Sequence, residues 1–326
     1  MRDQHGGGTV KRSGDVVCVG ESMAVFVPAT APRSWTEGVG GAESNVACHL
    51  AGHGFRSRWV SALGDDSFGR AVLSRVRASG VDTADVHVDP TRPTGLYFKQ
   101  PGAVTYYRHG SAASALGPEL LDRISLAHTR LVHISGITAA LSPSCLELLR
   151  AVLRDRRGDY LVSFDVNWRP ALWERGGGPE LLRELADSAD IVLVGSDEAD
   201  SLWGTDDPVR VRSLLPRPKT LVVKQGADGA TLLEDGQRVF EPALSVDVVE
   251  PVGAGDAFAA GFLASTLDGH GAGRRLRAGH LSAAGTLLTH EDVGEALPAE
   301  LVSALLEADE PAWRGARVST EGVRLG

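Results

Sequence analysis

Little in this chain could cross-link it, anchor it in a membrane or hold it on a nucleic acid. It has three cysteines, Cys18, Cys48 and Cys145, scattered among apolar neighbours. Three cannot all pair, and their spacing fits no zinc motif, so reduced, buried thiols of a cytoplasmic protein are expected. No apolar run approaches the roughly 18 residues of a membrane-spanning helix. Residues 1–14 are polar and glycine-rich with no apolar stretch, and read as a flexible tail rather than a signal peptide. The net charge of −9 offers no basic face to a nucleic-acid backbone, although a small phosphorylated ligand needs only a few local charges. Two phosphate motifs are also missing. From Gly64 to Arg70 the glycine spacing of a P-loop is present, but arginine stands where lysine is needed. No G-x-G-x-x-G follows a strand, since Gly38-Val39-Gly40 lacks its third glycine.

What the chain does have is 39 glycines and a series of short apolar runs. Val16–Val19, Trp59–Leu63, Leu131–Ile134, Tyr160–Phe164, Ile191–Val194 and Leu221–Val223 each read as a strand buried on both faces. Helical patterns fall between most of them. Ala42 to Gly52 is alanine-rich, Phe68 to Ser79 is amphipathic, and Ser142-Pro143 is an N-cap followed by proline leading into Leu146–Leu153. This alternation predicts an α/β fold with a doubly wound, mainly parallel sheet. Two regions break the rhythm, Val25 to Gly40 and Val86 to Arg108. The second reads as β segments at Val86–Val88, Gly95–Gln100 and Val104–Arg108, separated by Pro90, Pro93 and Pro101-Gly102. Together they are expected to form a small β lid on one main domain spanning 15–308, its outer face suggesting a homodimer. The alternative is ordinary surface hairpins. The chain after Ala308 is polar and is expected to be a peripheral tail over 309–326.

The motif with most chemical content is Val249-Glu250-Pro251-Val252-Gly253-Ala254-Gly255-Asp256, which opens an apolar helix reaching Leu267. Its glycines let a ligand approach the backbone, and amides at a helix start make an anion site. Asp256 in the first turn is either a favourable N-terminal charge or a base that takes a proton from a hydroxyl attacking a phosphoryl group. Gly40-Gly41-Ala42-Glu43-Ser44-Asn45-Val46-Ala47 is a second glycine pair opening a helix, with Asn45 in its first turn. In Tyr106-Tyr107-Arg108 the strand period puts Tyr106 and Arg108 on one face, with Tyr97 on a neighbouring lid strand. A guanidinium fork suits a carboxylate. Asp165-Val166-Asn167-Trp168-Arg169-Pro170 and Ser196-Asp197-Glu198 follow buried strands, where ligands bind in open α/β sheets. Glu198 is a water-mediated magnesium contact or a helix N-terminal charge. Lys224-Gln225-Gly226-Ala227-Asp228-Gly229 makes a turn after a further strand, putting Lys224 near the edge that carries Asp256.

In order and spacing these motifs resemble the ribokinase or pfkB family of carbohydrate kinases over about residues 15–300. The resemblance implies a Rossmann-like, ribokinase-like domain with a β lid, and ATP-dependent, magnesium-dependent phosphorylation of a small hydroxylated substrate. It implies Asp256 as catalytic base and Gly253, Ala254 and Gly255 as the anion hole. It implies nucleotide contacts at Asn167, Ser196, Lys224, Gly226 and Gly229, a magnesium-linked Glu198, and a potassium site near Asp247 and Val249. The stretches Tyr106–Ser114 and Asp165–Trp173 resemble the branch that phosphorylates 2-keto-3-deoxygluconate. That resemblance implies Gly41, Asn45, Tyr97, Tyr106, Arg108 and Arg169 around a sugar acid. Val25 stands where neutral-sugar members carry an aspartate, and Gly195 where the family has an asparagine. A fructokinase-like enzyme and a non-catalytic sugar- or nucleotide-binding regulator are the alternatives.

Overall fold

The structure, a computed structural model, describes residues 15–29, 34–100, 103–154, 159–174 and 176–324. The expected tail 1–14 and the Pro101-Gly102 turn lie outside the described residues.

Strand Asp15–Val19 explains why the main sheet lies inside the molecule. Its side chains alternate between the two faces. Val17 and Val19 enter one apolar cluster, Val16 and Cys18 the other, and all four are at most 1% exposed. A strand apolar on both faces is stable only with helices on both sides. Pro143–Arg154 and Gly178–Ala186 cover the first face; Ala42–Gly52 and Ala254–Leu267 cover the second. Cys145 N–H donates to Ser142 Oγ at 3.1 Å, the cap read from Ser142-Pro143. Helix Ala254–Leu267 is buried on nearly every side because its partner Ala272–Leu287 crosses it at Gly261, where an added Cβ would lie 2.3 Å from the Ala278 carbonyl oxygen. Cys18, Cys48 and Cys145 are free and buried.

Among the described residues the sheet has nine strands, ordered Gln237–Pro242, Gly229–Glu234, Thr220–Lys224, Ile191–Gly195, Leu161–Asp165, Thr129–Ser135, Asp15–Val19, Arg56–Gly64 and Val86–Asp89. From Thr220–Lys224 onward every neighbouring pair is parallel, and the first two strands add an antiparallel edge. Each apolar run read as a strand is one. The parallel strands end on a common edge, at Gly20, Ser135, Asp165, Gly195 and Lys224, where the functional side chains collect.

The lid is a separate four-stranded sheet in the order Trp35–Gly40, Met23–Pro28, Leu96–Gln100, Ala103–Tyr107. One expected lid segment belongs elsewhere. Val86–Val88 pairs in parallel with Arg56–Gly64 and closes the edge of the main sheet. Four residues with alternating apolar positions carry no mark of which sheet they join; the preceding parallel strand supplies the free edge.

The C-terminal segment also departs from expectation. Helix Glu310–Gly315 is followed by strands Arg317–Ser319 and Gly322–Arg324, which pair with Ser245–Val246 in a three-stranded sheet. Trp313 is fully buried, its indole N–H donates to the Pro242 carbonyl at 2.9 Å, and Ala316 and Val318 are buried beside it. Residues 309–324 are thus part of the packed domain, not a peripheral tail. A few apolar side chains decide this, and they are diluted among polar ones in the sequence. No helix among the described residues is long and apolar enough to cross a membrane.

Candidate active site

The turn before helix Ala254–Leu267 requires glycine. Gly253 has φ 85°, a left-handed conformation, and an added Cβ would lie 2.2 Å from the Asp292 carbonyl oxygen. The turn starts the helix with Ala254 N–H donating to the Pro251 carbonyl. Among the described residues no backbone carbonyl accepts from the amides of Gly255 and Asp256. Free amides at the positive end of a helix dipole hold an anion.

Asp256, half-buried in the first turn, faces the other glycine-led helix. Asn45 Nδ2 donates to Asp256 Oδ2 at 2.8 Å, joining residues 211 apart in sequence. Burial is the largest influence on this carboxyl and pushes its pKa up to about 7. The Asn45 hydrogen bond opposes the rise, the Asp165 charge adds to it, and Arg169 and Lys224 oppose it. A carboxylate that titrates near neutrality suits a general base, because proton transfer is most effective when the base's pKa lies near the working pH. A solvated first-turn helix charge would keep an ordinary carboxylate pKa, and this carboxyl does not.

On the face toward the lid, Gly41 precedes helix Ala42–Gly52 and its carbonyl accepts from Asn45 N–H at 2.8 Å. Tyr97 and Tyr106 are direct partners across two lid strands, with ring centroids 5.5 Å apart. Arg108 follows the last lid strand, and its guanidinium lies 5.5 Å from the Tyr106 ring centre, so the two do share a face. Arg108 is also buried, and its Nε donates to Glu21 Oε2 at 2.7 Å. Arg169 is more open: its Nη1 donates to the Trp168 carbonyl at 2.9 Å and lies 3.7 Å from Glu198 Oε1.

The opposite end of the crevice is organised by Lys224, which donates to both Asp165 oxygens at 3.0 and 3.1 Å. Burial works to lower the Lys224 pKa, but Asp165 and Glu198 outweigh it and the pKa is raised, so the lysine stays charged. A Cβ built on Gly255 would lie 3.8 Å from Lys224 Nζ, so the lysine reaches the anion turn, as its position after a strand suggested. Gly226 and Gly229 shape the turn between the antiparallel strands that follow. Asn167 has φ 41°, and its buried Oδ1 has no partner among the described residues. Ser196 opens helix Ser196–Trp203. Glu198 accepts from the amides of Gly195 at 2.7 Å and Trp168 at 2.9 Å, and burial raises its pKa. It therefore caps its own helix, the second of the two readings left open for it. Asp247 accepts from Arg317 Nη2 at 2.6 Å, and Val249 N–H donates to the Leu287 carbonyl at 2.8 Å; both lie beside the C-terminal sheet.

Four acidic residues went unassigned in the sequence reading. Asp165 forms the pair with Lys224. Glu21 holds Arg108 and accepts from the Ser111 hydroxyl. Glu43, fully buried with its pKa raised by burial, accepts from Ser135 and Thr138 at 2.7 Å each. Asp292 accepts from Tyr97 OH at 3.1 Å and Lys99 Nζ at 2.9 Å, tying the lid to the segment that packs on Gly253. Glu21 lies two residues past the end of a buried strand, a signal close to the one that singled out Asp165-Val166-Asn167, and was within reach of that rule. Asp292 follows a helix and had no such signal. A cavity of about 820 Å³ opens between the lid and helix Ala42–Gly52 and is lined by Val25, Gly38, Asn45, Lys99 and Asp292 among others. It meets the site through Asn45; Asp256 and Arg108 are not in its lining.

A carboxylate of raised pKa beside free helix-start amides, with a charged lysine at the same turn, is equipped for phosphoryl transfer to a hydroxyl. Residues 13–299 match the family described as pfkB family carbohydrate kinase. The chain belongs to the pfkB family of carbohydrate kinases. As a family member it is an enzyme that takes a sugar, ATP and a divalent metal. It is 37% identical over 244 residues to the 2-dehydro-3-deoxygluconokinase of Thermoproteus tenax, covering 71% of this chain and 74% of that one. It is 35% identical over 271 residues to the enzyme of the same name from Bacillus subtilis, covering 78% and 84%. A pfkB protein of Polaromonas sp. JS666 has a solved structure with TM-score 0.76 at 33% identity, covering 86% of this chain and 98% of that one. The Thermotoga maritima 2-dehydro-3-deoxygluconokinase superposes with TM-score 0.82 at 23% identity, over 91% and 99%, a likeness of fold. The expected ribokinase-like fold with a small separate β sheet is the one found.

Proposed function

We propose that this pfkB kinase transfers the γ-phosphoryl group of ATP to the terminal hydroxyl of 2-keto-3-deoxygluconate, giving the 6-phosphate. The observation that carries the mechanism is Asp256, raised toward neutrality and held by Asn45 at the mouth of the anion turn. As the hydroxyl oxygen attacks the γ-phosphorus, its proton passes to the Asp256 carboxylate. The new P–O bond forms, the bridging P–O bond breaks, and ADP leaves. The Gly253–Asp256 amides stabilise the charge on the transferring group, and Lys224 holds the phosphate chain. Closure of the lid excludes water, the competing nucleophile.

The sugar-acid assignment rests on Arg108 beside the lid, on the more open Arg169 after strand Leu161–Asp165, on Val25 at the neutral-sugar position, and on the relatives named above. Magnesium, when bound, would supply charge neutralisation to the phosphates. Glu198 would hold its water shell: each of its oxygens accepts one amide, and Oε1 also lies 3.7 Å from Arg169 Nη1. A potassium ion beside Asp247 and Val249 would rest on backbone carbonyls, because the Asp247 carboxylate is engaged by Arg317. Trp35, Val104 and Tyr107 are 40%, 45% and 61% exposed on the lid, with Phe98 packed between Trp35 and Tyr107. We propose that this aromatic patch pairs with a second copy in a cytoplasmic homodimer.

An ATP-consumption assay against 2-keto-3-deoxygluconate, 2-keto-3-deoxygalactonate, fructose and ribose tests the substrate. The acid sugars are expected to give the highest kcat/KM; a preference for fructose would replace this reading with the fructokinase one, and no turnover on any of them would favour a binding regulator. Arg108→Ala is expected to raise KM for the acid far more than for a neutral sugar. Sedimentation equilibrium of Trp35→Ser against the parent protein tests the dimer: the parent is expected as a dimer and the variant as a monomer, and a monomeric parent would refute that assembly.

A further inference from the structure

We propose that Glu21 is the positioning residue that aims Arg108 at the carboxylate end of the sugar. The inference rests on the sugar-acid reading above and deepens it. A guanidinium has two hydrogen-bonding edges, the side edge of Nε and Nη2 and the end edge of Nη1 and Nη2. Glu21 takes the side edge: Nε donates to Oε2 at 2.7 Å, and Nη2 pairs with the same oxygen. The other oxygen, Oε1, accepts from Ser111 Oγ, three residues after Arg108. Among the described residues none accepts from Arg108 Nη1, so the end edge is available for a bidentate carboxylate.

The surroundings leave Glu21 little freedom. Its side chain is 1% exposed and that of Arg108 8%. A Cβ on Gly95, at the entry to a lid strand, would lie 2.8 Å from Glu21 Oε1. The Tyr106 ring fixes one face of the guanidinium. Glu21 follows the central strand Asp15–Val19, whereas Arg108 and Tyr106 belong to the lid. The pair therefore sets a lid arginine against the rigid sheet edge. An arginine on a flexible stem spends entropy in each contact; one fixed on one edge presents the other already oriented. The buried pair is neutral as a unit.

The test compares KM for 2-keto-3-deoxygluconate with KM for a neutral sugar that the enzyme also turns over, in Glu21→Asp, Glu21→Gln and Arg108→Ala. Asp keeps the charge but draws its oxygens back by one methylene; Gln removes the charge but keeps an acceptor in place. With a positioning role, Glu21→Asp raises the acid-to-neutral KM ratio about tenfold with kcat nearly unchanged, and Glu21→Gln keeps the ratio within about threefold. An unchanged ratio in Glu21→Asp, or equal effects on both sugars, overturns the inference while Arg108→Ala still shows an acid-selective loss. If Arg108→Ala raises both KM values alike, the carboxylate reading itself falls, and this inference with it. Melting curves of each variant establish that the compared proteins are folded, and Glu21→Gln, which retains the hydrogen bonds, carries the test if Glu21→Asp does not fold: it overturns the inference by losing the acid preference.

Discussion

Replacing Asn45 by leucine tests the base directly, because it removes one hydrogen bond without touching Asp256. Asn45 Nδ2 donates to Asp256 Oδ2 at 2.8 Å, and this bond favours the ionised form. A hydrogen bond to a charged group contributes about 1.5–3 kcal/mol. At about 1.4 kcal/mol per pKa unit, its loss raises the Asp256 pKa by about 1–2 units. Asp256 is half-buried, so water replaces part of the lost bond and about 1 unit is the expected shift. With the parent pKa at about 7, half the enzyme is active at pH 7. A shift to about 8 leaves about a tenth ionised, a roughly fivefold loss at pH 7 that vanishes by about pH 9. The assay is kcat/KM as a function of pH, read as the ratio between pH 9 and pH 7, so that any uniform loss from altered sugar contacts cancels. An inflection that stays in place in Asn45→Leu would refute the assignment of Asp256 as the titrating base.

Asp256→Asn is expected to lower turnover by orders of magnitude while raising stability at alkaline pH. The folded carboxyl titrates at about 7, above its unfolded value of 3.8, so the fold binds the extra proton between these limits. Stability from this group is complete below about pH 4 and is lost as pH rises to about 7. Melting curves should therefore show the variant's Tm advantage growing from pH 4 to pH 8; a constant offset would mean that Asp256 is not perturbed by the fold. Trp313→Ala should cost about 3–5 kcal/mol, the range for emptying a buried aromatic site, measured by urea unfolding. A cost below about 1 kcal/mol would return residues 309–324 to the role of a peripheral tail. Asp292→Ala should raise KM for the sugar more than for ATP, because it releases Tyr97 and Lys99 of the lid, and equal effects on both substrates would count against that link.

The family and the parallel sheet were legible in the chain because each depends on short-range chemistry. Apolar runs such as Ile191–Val194 have to be buried on both faces wherever they go, and Gly253 must be glycine to turn left-handed before its helix. The order of these pieces along the chain was enough to name the reaction class. The pairings between distant segments were not legible. Nothing near Val86–Asp89 says that it closes the main sheet, and nothing near Trp313 says that Pro242 accepts its indole N–H. Asp256 by itself has the composition of an ordinary first-turn acid. Its carboxyl is pushed toward neutrality only when the fold buries it, with Asn45, 211 residues away, donating to its carboxylate. Likewise the sequence offers Arg108 as a fork suited to a carboxylate, but only the folded chain shows that Glu21 already occupies one edge of it. Local sterics and burial are written in consecutive residues; the electrostatics of a site depend on distances between residues far apart in the chain, and those exist only after folding.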